Sequence, residues 1–465
     1  MTSMNLTRSQ RNLIVTVTLS ASFLTVLLQF LLITAFPKIM SEFNVNSTEV
    51  QWLTTSYMLT SAVLVPITAF LIDRFKTRTL MLGAMLFFLT GTVIGFLAPS
   101  FAILIVGRIL QAIASGILMP LMQTILFLIY PRDKRGYAMG LSGMVINVAP
   151  AIGPPLSGII ISYFDWRFLY LLTFIIAVII LILIICFMKN VTKQRDTKTD
   201  LLSILLSTVG FGGILYGFNQ LQEVGITNLS TLASLITGFL ALALFVFRQL
   251  HLETPVLNIR VLKIPIFALV TFISVIGFSL LISIETILPL YVQNAQQRSA
   301  YYSGLVVMPG ALTLAIMSAV AGRLFDKYGS KIITIIGFSV LCFSTIGFQV
   351  LLGLDTTFII PALLFVVSMG GVAFINMPVM TTGINALPDK LINHGTSVIN
   401  TGRQFGGSLG LTFIISFISR AENGSTTTQP LDYLTGVKTA FFVAFIFAVI
   451  GLIASLFIEK RRSEA

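Results

Sequence analysis

One acidic side chain in this sequence stands apart from the others. Of the 17 Asp and Glu residues in the 465-residue chain, only Glu285 lies well inside a long apolar stretch. Its neighbours Ile284 and Ile287 give its carboxyl group no local charge partner. Away from water the charged form of a carboxyl group is disfavoured, so such a residue can take up and release a proton. Glu285 is therefore a candidate proton-transfer site; the alternative is a permanently protonated acid bonded to a backbone carbonyl.

Two basic residues, Arg108 and Arg403, also lie within apolar stretches. A charged side chain inside a bilayer is costly unless it faces water or an opposite charge, so Arg108 is a candidate partner of the proton site. The alternative for Arg108 is that its long side chain reaches the outer surface. We interpret Arg403 as a structural or gating residue.

Four amide side chains inside apolar stretches could line a substrate cavity. They are Gln29, Gln111, Asn147 and Asn376. Amide groups at such positions also hydrogen-bond neighbouring helices to one another, and this alternative stays open for each of them.

The composition explains why charges inside apolar stretches matter. Hydrophobic residues make up 56% of the chain and charged residues only 10%, whereas soluble proteins carry about a quarter charged residues. The solvent of most of the chain must therefore be lipid. No G-x-x-x-x-G-K-[ST] phosphate loop is present, and the short polar connections leave no room for a catalytic domain, so we expect no enzyme activity.

Cysteine and histidine are too rare and too scattered for a metal site or a disulfide framework. The two cysteines lie in separate apolar stretches and the two histidines in separate polar connections. These four residues are Cys186, Cys342, His251 and His394. We expect no metal and no cofactor.

Apolar stretches between charge clusters predict fourteen membrane-spanning helices. Their approximate limits are 13–36, 52–72, 79–98, 102–130, 136–163, 167–188, 201–219, 230–248, 266–292, 304–323, 332–353, 358–385, 396–419 and 439–457. Several glycines weaken the seventh, so twelve spans remain an alternative if the seventh and eighth are re-entrant or interfacial.

The distribution of Lys and Arg predicts the topology. With the N-terminus in the cytoplasm, 22 of them fall in inner segments and 5 in outer segments. This asymmetry is the positive-inside signature and places both termini in the cytoplasm. The net charge of +12 therefore requires no nucleic-acid partner.

An internal repeat divides the chain. Residues 69–78 resemble residues 322–331, and Asp73 and Asp326 in these segments are 253 residues apart. The spacing predicts two pseudo-symmetric six-helix halves, 1–190 and 264–465, joined by two extra transmembrane helices in 191–263. Parallel halves of this kind are typical of secondary transporters.

The repeated loops carry the first resemblance to a known family. Gly322 to Lys331 closely matches the G-x-L-x-D-R-x-G-R-[KR] loop of the major facilitator superfamily, whereas Ala69 and Lys76 replace both glycines of the first copy. The resemblance implies a latch in which the aspartate meets a helix N-terminus. The implied latch residues are Asp73, Arg74, Arg78, Gly322, Asp326, Lys327, Gly329 and Lys331. The alternative is that the basic residues of the first copy only determine topology.

Two spans resemble further motifs of this family. Residues 107–116 resemble its R-x-x-Q-G-x-x-x-G segment, which contains Arg108 and Gln111. Residues 149–158 resemble the G-x-x-x-G-P-x-x-G-G segment that marks antiporters, with small residues every four positions for close helix packing. Its implied motif residues are Pro150, Gly153, Pro154, Ser157 and Gly158. The alternative is a packing kink without bearing on transport direction.

The chain is most similar to the fourteen-span drug:proton antiporters within the superfamily. Two stretches resemble this group, namely residues 288–293 and residues 400–410 around Arg403. The first resemblance implies that Tyr291 lies at the substrate cavity. One departure concerns the first span, where the group carries an aspartate and this chain has leucine next to Gln29. That absence leaves Glu285 as the expected coupling carboxylate.

The resemblance implies an all-α polytopic membrane protein with the major facilitator fold. It implies proton-coupled export of hydrophobic or cationic molecules across a bacterial plasma membrane, with the proton gradient as energy source and a monomer as the working unit. An alternative is a dedicated exporter of a lipid, fatty acid or metabolite. A membrane sensor or scaffold is disfavoured because the sequence contains no soluble signalling segment.

Overall fold

A computed structural model describes residues 7–192, 194, 200–224, 228–423 and 430–458. Throughout these ranges the secondary structure is helical and contains no β-strand. Fifteen α-helices are present in the described ranges, and all but the eight-residue helix Phe36–Phe43 have at least 21 residues. We number the fourteen long helices α1–α14.

The first seven are α1 Arg8–Leu31, α2 Ser47–Arg74, α3 Thr77–Leu97, α4 Phe101–Ile129, α5 Arg135–Tyr163, α6 Arg167–Phe187 and α7 Leu201–Val224. The other seven are α8 Leu229–His251, α9 Pro265–Leu290, α10 Ala300–Tyr328, α11 Ser330–Leu351, α12 Ile359–Asn385, α13 Ile392–Asn423 and α14 Pro430–Leu456. A single π-helical turn, Tyr291–Ala295, extends α9.

Thirteen candidate membrane spans are found in the described part of the chain, and α13 is the long helix that does not qualify. The first turns of α13 are polar and its interior carries Arg403. At 1.5 Å per residue its 32 residues still reach about 48 Å, more than the ~30 Å hydrocarbon core of a bilayer. The predicted all-helical fold with fourteen spans is therefore confirmed.

The two linking helices resolve the twelve-span alternative. Helices α7 and α8 have 24 and 23 residues, and neither is interrupted as a re-entrant segment would be. They approach each other at Gly213 and Gly238, where an added Cβ would press on the opposite backbone. On the first half they meet α2, where the rings of Trp52 and Tyr216 lie 6.0 Å apart.

An ion pair closes one end of the linking helices. The guanidinium Nε of Arg248 lies 2.8 Å from a carboxylate oxygen of Asp200, which also accepts a hydrogen bond from the Ser203 hydroxyl. The Arg248 guanidinium lowers the pKa of the Asp200 carboxyl group, because it stabilises the charged form. Asp200 therefore carries its negative charge at neutral pH and fixes the start of α7.

The first span differs from its predicted limits of 13–36. Helix α1 begins at Arg8, where Thr7 and Gln10 form a capping box, and ends at Leu31. A short 3₁₀ turn, Ile33–Ala35, follows α1, and Pro37, which supplies no backbone N–H, occupies the first turn of the short helix Phe36–Phe43. Asn44, in the left-handed conformation with φ 53°, ends this short helix.

The short helix is fastened to the end of α5 and the start of α6. The Lys38 ammonium donates to the carbonyl of Ile161 over 2.6 Å. Glu42 accepts a hydrogen bond from the Trp166 indole and forms an ion pair with Arg167, both at 2.6 Å. We call this set of contacts the outer clamp, because the predicted topology places it outside the cell.

The chain separates into two compact units, each with its own apolar core. The first comprises the described residues of 1–131, 148–260 and 389–398, with buried residues such as Leu28 and Leu118 at its centre. The second comprises those of 132–147, 261–388 and 399–465, with residues such as Ile284 and Phe441 at its centre. The sequence-based division at residues 190 and 263 stays a prediction.

The predicted topology can be tested by cysteine labelling across α7. The connecting residues Lys193 and Gly225 lie outside the described ranges, so we choose exposed neighbours. In a chain whose two native cysteines are replaced by serine, Asn228→Cys should react with a membrane-impermeant maleimide on intact cells. Lys189→Cys should react only after permeabilisation. Labelling of both positions from one side would contradict the six-two-six arrangement.

Candidate functional site

Glu285 lies on the half-exposed side of α9. It continues a stripe at helical spacing with Val275, Phe278 and Ile282, all half-buried, whereas its neighbour Ile284 is fully buried. Within the part of the chain that the structure describes, no N–H or hydroxyl group donates to its carboxylate, and no cation forms an ion pair with it. A carboxylate in a span without a protein partner is free to bind a proton or a cation.

The stripe beside Glu285 is bordered by α13. A Cβ added at Gly406 would overlap with Val275, and one added at Gly407 would press on Phe278. The Ser279 hydroxyl donates to the Gly406 carbonyl over 2.6 Å, which holds the two helices together. The glycines of residues 400–410 therefore have a packing function, since they allow α13 to approach α9 closely.

Arg403 connects three helices within the second unit. It is 6% exposed, its Nε donates to the Ser274 hydroxyl over 2.6 Å, and its Nη2 donates to the Asn376 carbonyl. Its Nη1 lies 3.8 Å from the sulfur of Met380. No carboxylate bonds to Arg403 among the described residues, so this buried guanidinium is held by dipoles alone. The side-chain oxygen of Asn376 is buried, and no group in the described part of the chain donates a hydrogen bond to it.

Arg108 is fully buried in the first unit, at 0% exposure. Its Nε donates to the Leu53 carbonyl over 3.1 Å, its Nη1 donates to Gln111 over 3.3 Å, and its Cζ lies 4.4 Å from the centre of the Tyr57 ring. Among the described residues, neither its Nη2 nor the hydroxyl of Tyr170 has a hydrogen-bond partner. The side chain therefore points into the protein rather than towards the membrane surface.

The other predicted cavity residues are dispersed. Gln29 is half-buried on α1, and Gln111 donates onward to Thr92 over 3.0 Å. Asn147 donates to the Ser318 hydroxyl over 3.1 Å within the second unit. Tyr291 is fully buried and donates to the Gly353 carbonyl over 2.6 Å, so the structure places it in the core of the second unit.

The antiporter-type segment of α5 packs its small residues against the end of α1. Ala149 is fully buried, and a Cβ added at Gly153 would press on Phe30. Ser157 and Thr34 are hydrogen-bonded through their hydroxyls at 2.5 Å. Gly158 faces open space, so it does not take part in this close approach. The helix continues through Pro150, Pro154 and Pro155 without a break.

The second-half loop places its aspartate at the first turn of α5. Asp326 accepts from the backbone N–H groups of Gly136 and Tyr137 at 2.9 and 2.8 Å. These amides have no partner within their own helix, and the positive end of the helix dipole favours a carboxylate there. Gly329 ends α10 at φ 77°, a conformation that glycine adopts without strain.

The basic residues of both loops have other contacts. The guanidinium of Arg323 lies 5.8 Å from the Tyr137 ring, and the ammonium of Lys327 lies 5.0 Å from the Tyr328 ring. Arg78 donates to the Ile185 carbonyl, while Arg74 is exposed and Lys331 is half-buried.

The first-half loop uses side chains where the second uses backbone amides. Asp73 is 7% exposed and accepts from the Asn393 amide at 2.8 Å, while its second oxygen lies 3.1 Å from His394 Nε2. The other ring nitrogen of His394 accepts from the backbone N–H of Asn258 at 3.1 Å. Sequence reasoning missed Asn258, Asn393 and His394, because no local pattern relates residues so far apart.

Close packing around Gly322 generates a stability prediction. A Cβ on Gly322 would overlap with the Gly136 carbonyl oxygen and press on Gly140, whereas a Cβ on Gly304 of the same helix would meet nothing. Gly322→Ala should lower stability by about 1–3 kcal/mol through overpacking. The matched control Gly304→Ala should leave it unchanged or raise it by up to ~1 kcal/mol. Unfolding midpoints of the purified variants in one detergent provide the measurement; equal midpoints for the two would contradict the packing argument.

Comparison with known proteins places this geometry in a family. The Major Facilitator Superfamily description matches residues 18–411. The chain is 45% identical to the uncharacterised MFS-type transporter YcnB of Bacillus subtilis, over 98% of this chain and 96% of that protein. It is 38% identical to the lincomycin resistance protein LmrB of Listeria monocytogenes, over 96% of each.

A solved structure agrees with the fold. The proton:xylose symporter XylE matches with a TM-score of 0.67 over 97% of this chain and 96% of that chain, at 14% identity. The helical architecture and the matches along nearly the whole length lead to one conclusion. The chain belongs to the Major Facilitator Superfamily and is a membrane transporter whose relatives include drug-resistance proteins.

Proposed function

We propose that this chain is a proton-coupled antiporter that exports hydrophobic, often cationic drugs across the bacterial plasma membrane by alternating access. The observation that carries the proposal is Glu285, a half-buried carboxylate in a span, without a partner among the described residues. Relatives named for lincomycin resistance support drugs as the substrate class. The transporter requires no cofactor, works as a monomer and has both termini in the cytoplasm.

Exchange at Glu285 would provide the coupling. An antiporter must make proton binding and substrate binding exclude one another at a site that opens alternately to the two sides. A carboxylate that is neutral with a proton bound, and charged when a cationic substrate is bound, meets this requirement. Arrival of a proton from outside then releases the drug, and arrival of a drug from inside releases the proton.

Arg108 would contribute a fixed positive charge to the first unit. A guanidinium does not release its proton in proteins, so Arg108 acts through its charge and not as a proton carrier. The Leu53 carbonyl and the Tyr57 ring hold this charge in a dry surrounding. An opposite charge nearby favours the ionised form of a carboxyl group, so Arg108 favours proton release from any acid that approaches it during the cycle.

Polar side chains on other spans would orient the bound molecule. Gln29, Gln111, Asn147 and Asn376 offer amide groups, and the stripe on α9 offers the half-buried side chains of Phe278 and Ile282. Aromatic and aliphatic surfaces tolerate ligands of different shapes, which suits a transporter of several drugs. Arg403 fixes α9 to α12 and α13, so we assign it a gating role as these helices move.

A dedicated exporter of an anionic lipid, fatty acid or metabolite is the second candidate. The observation that favours it is the Nη2 of Arg108, a buried cationic donor for which the residues that the structure describes supply no acceptor. An anionic headgroup could satisfy this donor, whereas a cationic drug would be repelled by it.

Both candidates can be compared in proteoliposomes with an imposed pH gradient. The proposal predicts gradient-driven movement of a fluorescent cationic dye and no movement of an anionic fatty-acid analogue. The reverse result would establish the second candidate.

Substitution of Glu285 tests its role in coupling. Glu285→Gln mimics the protonated form and should abolish gradient-driven dye efflux, while the protein stays folded and inserted. Glu285→Asp should keep partial activity with a shifted pH profile. The matched control is Glu253→Gln, which removes an exposed loop carboxylate and should transport like the unsubstituted protein. Full gradient-driven transport by Glu285→Gln would eliminate this residue as the coupling site.

Substitution of the two loop aspartates tests the proposed latch. Asp326→Asn should slow turnover more than Asp73→Asn, because Asp326 is the direct partner of two backbone amides and its loop retains both glycines. Asparagine keeps one acceptor oxygen but loses the charge that the helix terminus favours. Initial rates of dye efflux at equal protein density provide the comparison. Equal or reversed effects would contradict the assignment of the stronger latch to the second loop.

A further inference from the structure

His394 lies at the junction of three segments of the first unit. The imidazole is 4% exposed and touches Asp73 at the end of α2 and Asn258 in the segment between α8 and α9. Its neighbour Asn393 donates both to Asp73 and to the Ala69 carbonyl, at 2.8 and 3.1 Å. The side chain therefore joins the first-half loop to the segment that leads out of the linking helices.

The hydrogen bonds determine which nitrogen of His394 carries a proton. The backbone N–H of Asn258 can only donate, so Nδ1 must present its lone pair to it. The Asp73 carboxylate can only accept when ionised, so Nε2 must carry the hydrogen. The arrangement thus requires the neutral imidazole with its hydrogen on Nε2.

His251, the second histidine of the chain, is held in the other tautomer. The Nδ1 of the exposed His251 lies 2.8 Å from the carbonyl oxygen of Phe247, which accepts only, so Nδ1 carries the hydrogen there. The protein therefore contains its own reference for an experiment that distinguishes the two ring nitrogens.

The segment at Asn258 is tied to the linking helices. Arg260 donates to the carbonyls of Leu250 and Leu252 at 2.7 and 2.9 Å, so it satisfies the carbonyl end of α8. The Gln249 side chain accepts from the Leu257 N–H at 3.2 Å and donates to the Ser203 hydroxyl at 2.7 Å. Release of Asn258 from His394 would leave this segment attached to α7 and α8 but free of the loop that carries Asp73.

We propose that His394 is a proton-binding site, and that a proton taken up at Nδ1 detaches the Asn258 segment while it strengthens the hold on Asp73. The added N–H at Nδ1 would face the N–H of Asn258, so two donors would oppose each other and the hydrogen bond would break. On the other side, the imidazolium forms an ion pair with the Asp73 carboxylate, which is stronger than the neutral hydrogen bond. Binding of the proton would therefore break the contact with Asn258 and strengthen the contact with Asp73.

Histidine is the residue type suited to such a change of contacts at physiological pH. Imidazole is the side chain whose charge ordinarily changes between roughly pH 5 and 8. The charged side chains on the segments that meet here are Asp73, Arg74, Lys76 and Arg78 in the first loop, Glu253, Arg260 and Lys263 between α8 and α9, and Asp389 and Lys390 before α13. In the second loop Asp326 accepts from two backbone amides, which do not titrate. The effect of His394 protonation on transport rests on the proposed function, but the proton binding does not.

Nitrogen-15 NMR of the full-length protein, labelled on histidine and reconstituted in nanodiscs, tests the proton site directly. His251→Gln leaves His394 as the single imidazole, and His394→Gln leaves His251 as the reference. At pH 8 we expect His394 with its hydrogen on Nε2 and His251 with its hydrogen on Nδ1. On acidification Nδ1 of His394 should become protonated, and the Asn258 amide should lose its hydrogen-exchange protection after correction for the intrinsic rate. A hydrogen on Nδ1 of His394 at pH 8, or full protection of Asn258 after protonation, would overturn the proposal.

The consequence for transport is tested by a variant that cannot titrate. Glutamine offers one donor and one acceptor, as neutral imidazole does, so His394→Gln can keep both contacts without binding a proton. Dye efflux is measured at several pH values on the side predicted to be cytoplasmic. The rate ratio of unsubstituted protein to His394→Gln should fall about threefold or more towards acidic pH, since one proton shifts a population by up to ~10-fold per pH unit. A constant ratio would overturn the regulatory part.

His394→Arg serves as a second variant because it carries a permanent charge. It should show the slow rate of the acidic state at every pH, and a rate equal to that of the unsubstituted protein at pH 8 would count against the proposal. If the unsubstituted protein moves no dye, the proposed function fails, and the NMR titration still decides whether His394 binds the proton as inferred.

Discussion

In a hydrocarbon solvent every polar group must find its partner inside the protein, and the other features of this molecule follow from that constraint. The backbone satisfies it by forming helices throughout the described spans. Buried hydroxyls satisfy it by donating to the carbonyl four residues earlier, as Thr18, Thr92 and Thr271 do at 2.7 Å. Polar groups that lack such a partner are therefore candidates for a function in transport. Among the described residues they include the Nε of Arg11 and the Nη2 of Arg108. The carboxylate of Glu285 is a further example, and the proposed coupling mechanism rests on it.

The internal repeat of the sequence does not produce chemically equivalent loops. Asp326 binds the first amides of α5, a contact that any helix N-terminus offers to a carboxylate. Asp73 at the corresponding position is bound by the side chains of Asn393 and His394 instead. Replacement of a glycine by Ala69 in the first copy is compatible with this difference, because the partners that reach the first loop are side chains and not the backbone of a neighbouring helix. Pseudo-symmetry of the chain is therefore compatible with a different set of partners for the aspartate of each loop.

The fold could be predicted from the sequence, because spans longer than twenty apolar residues and a strong charge asymmetry are local signals. Glu285 could also be singled out, since its position in an apolar stretch is visible without coordinates. The partners of Asp73 could not be predicted, because His394 lies 321 residues away and nothing near either residue specifies the other. The end of α1 differs from the sequence prediction, since the helix ends at Leu31 whereas the predicted span runs to residue 36. Tyr291 was expected at the cavity, but its position in an extended apolar run did not reveal that its hydroxyl would find the Gly353 carbonyl.

The outer clamp creates a surface that an antibody or another binding protein can recognise. Because Lys38, Glu42, Trp166 and Arg167 join the short helix to the end of α5, the residues after α1 and the turn before α6 form one rigid composite epitope. A binder raised against this epitope would recognise residues about 125 positions apart in the chain, and therefore only the assembled first unit. On the face that the predicted topology places outside the cell, such a binder would report correct assembly without touching Glu285, Arg108 or the loops. It would also enlarge the small extramembrane surface of this transporter, which is the property that particle alignment in electron cryomicroscopy requires.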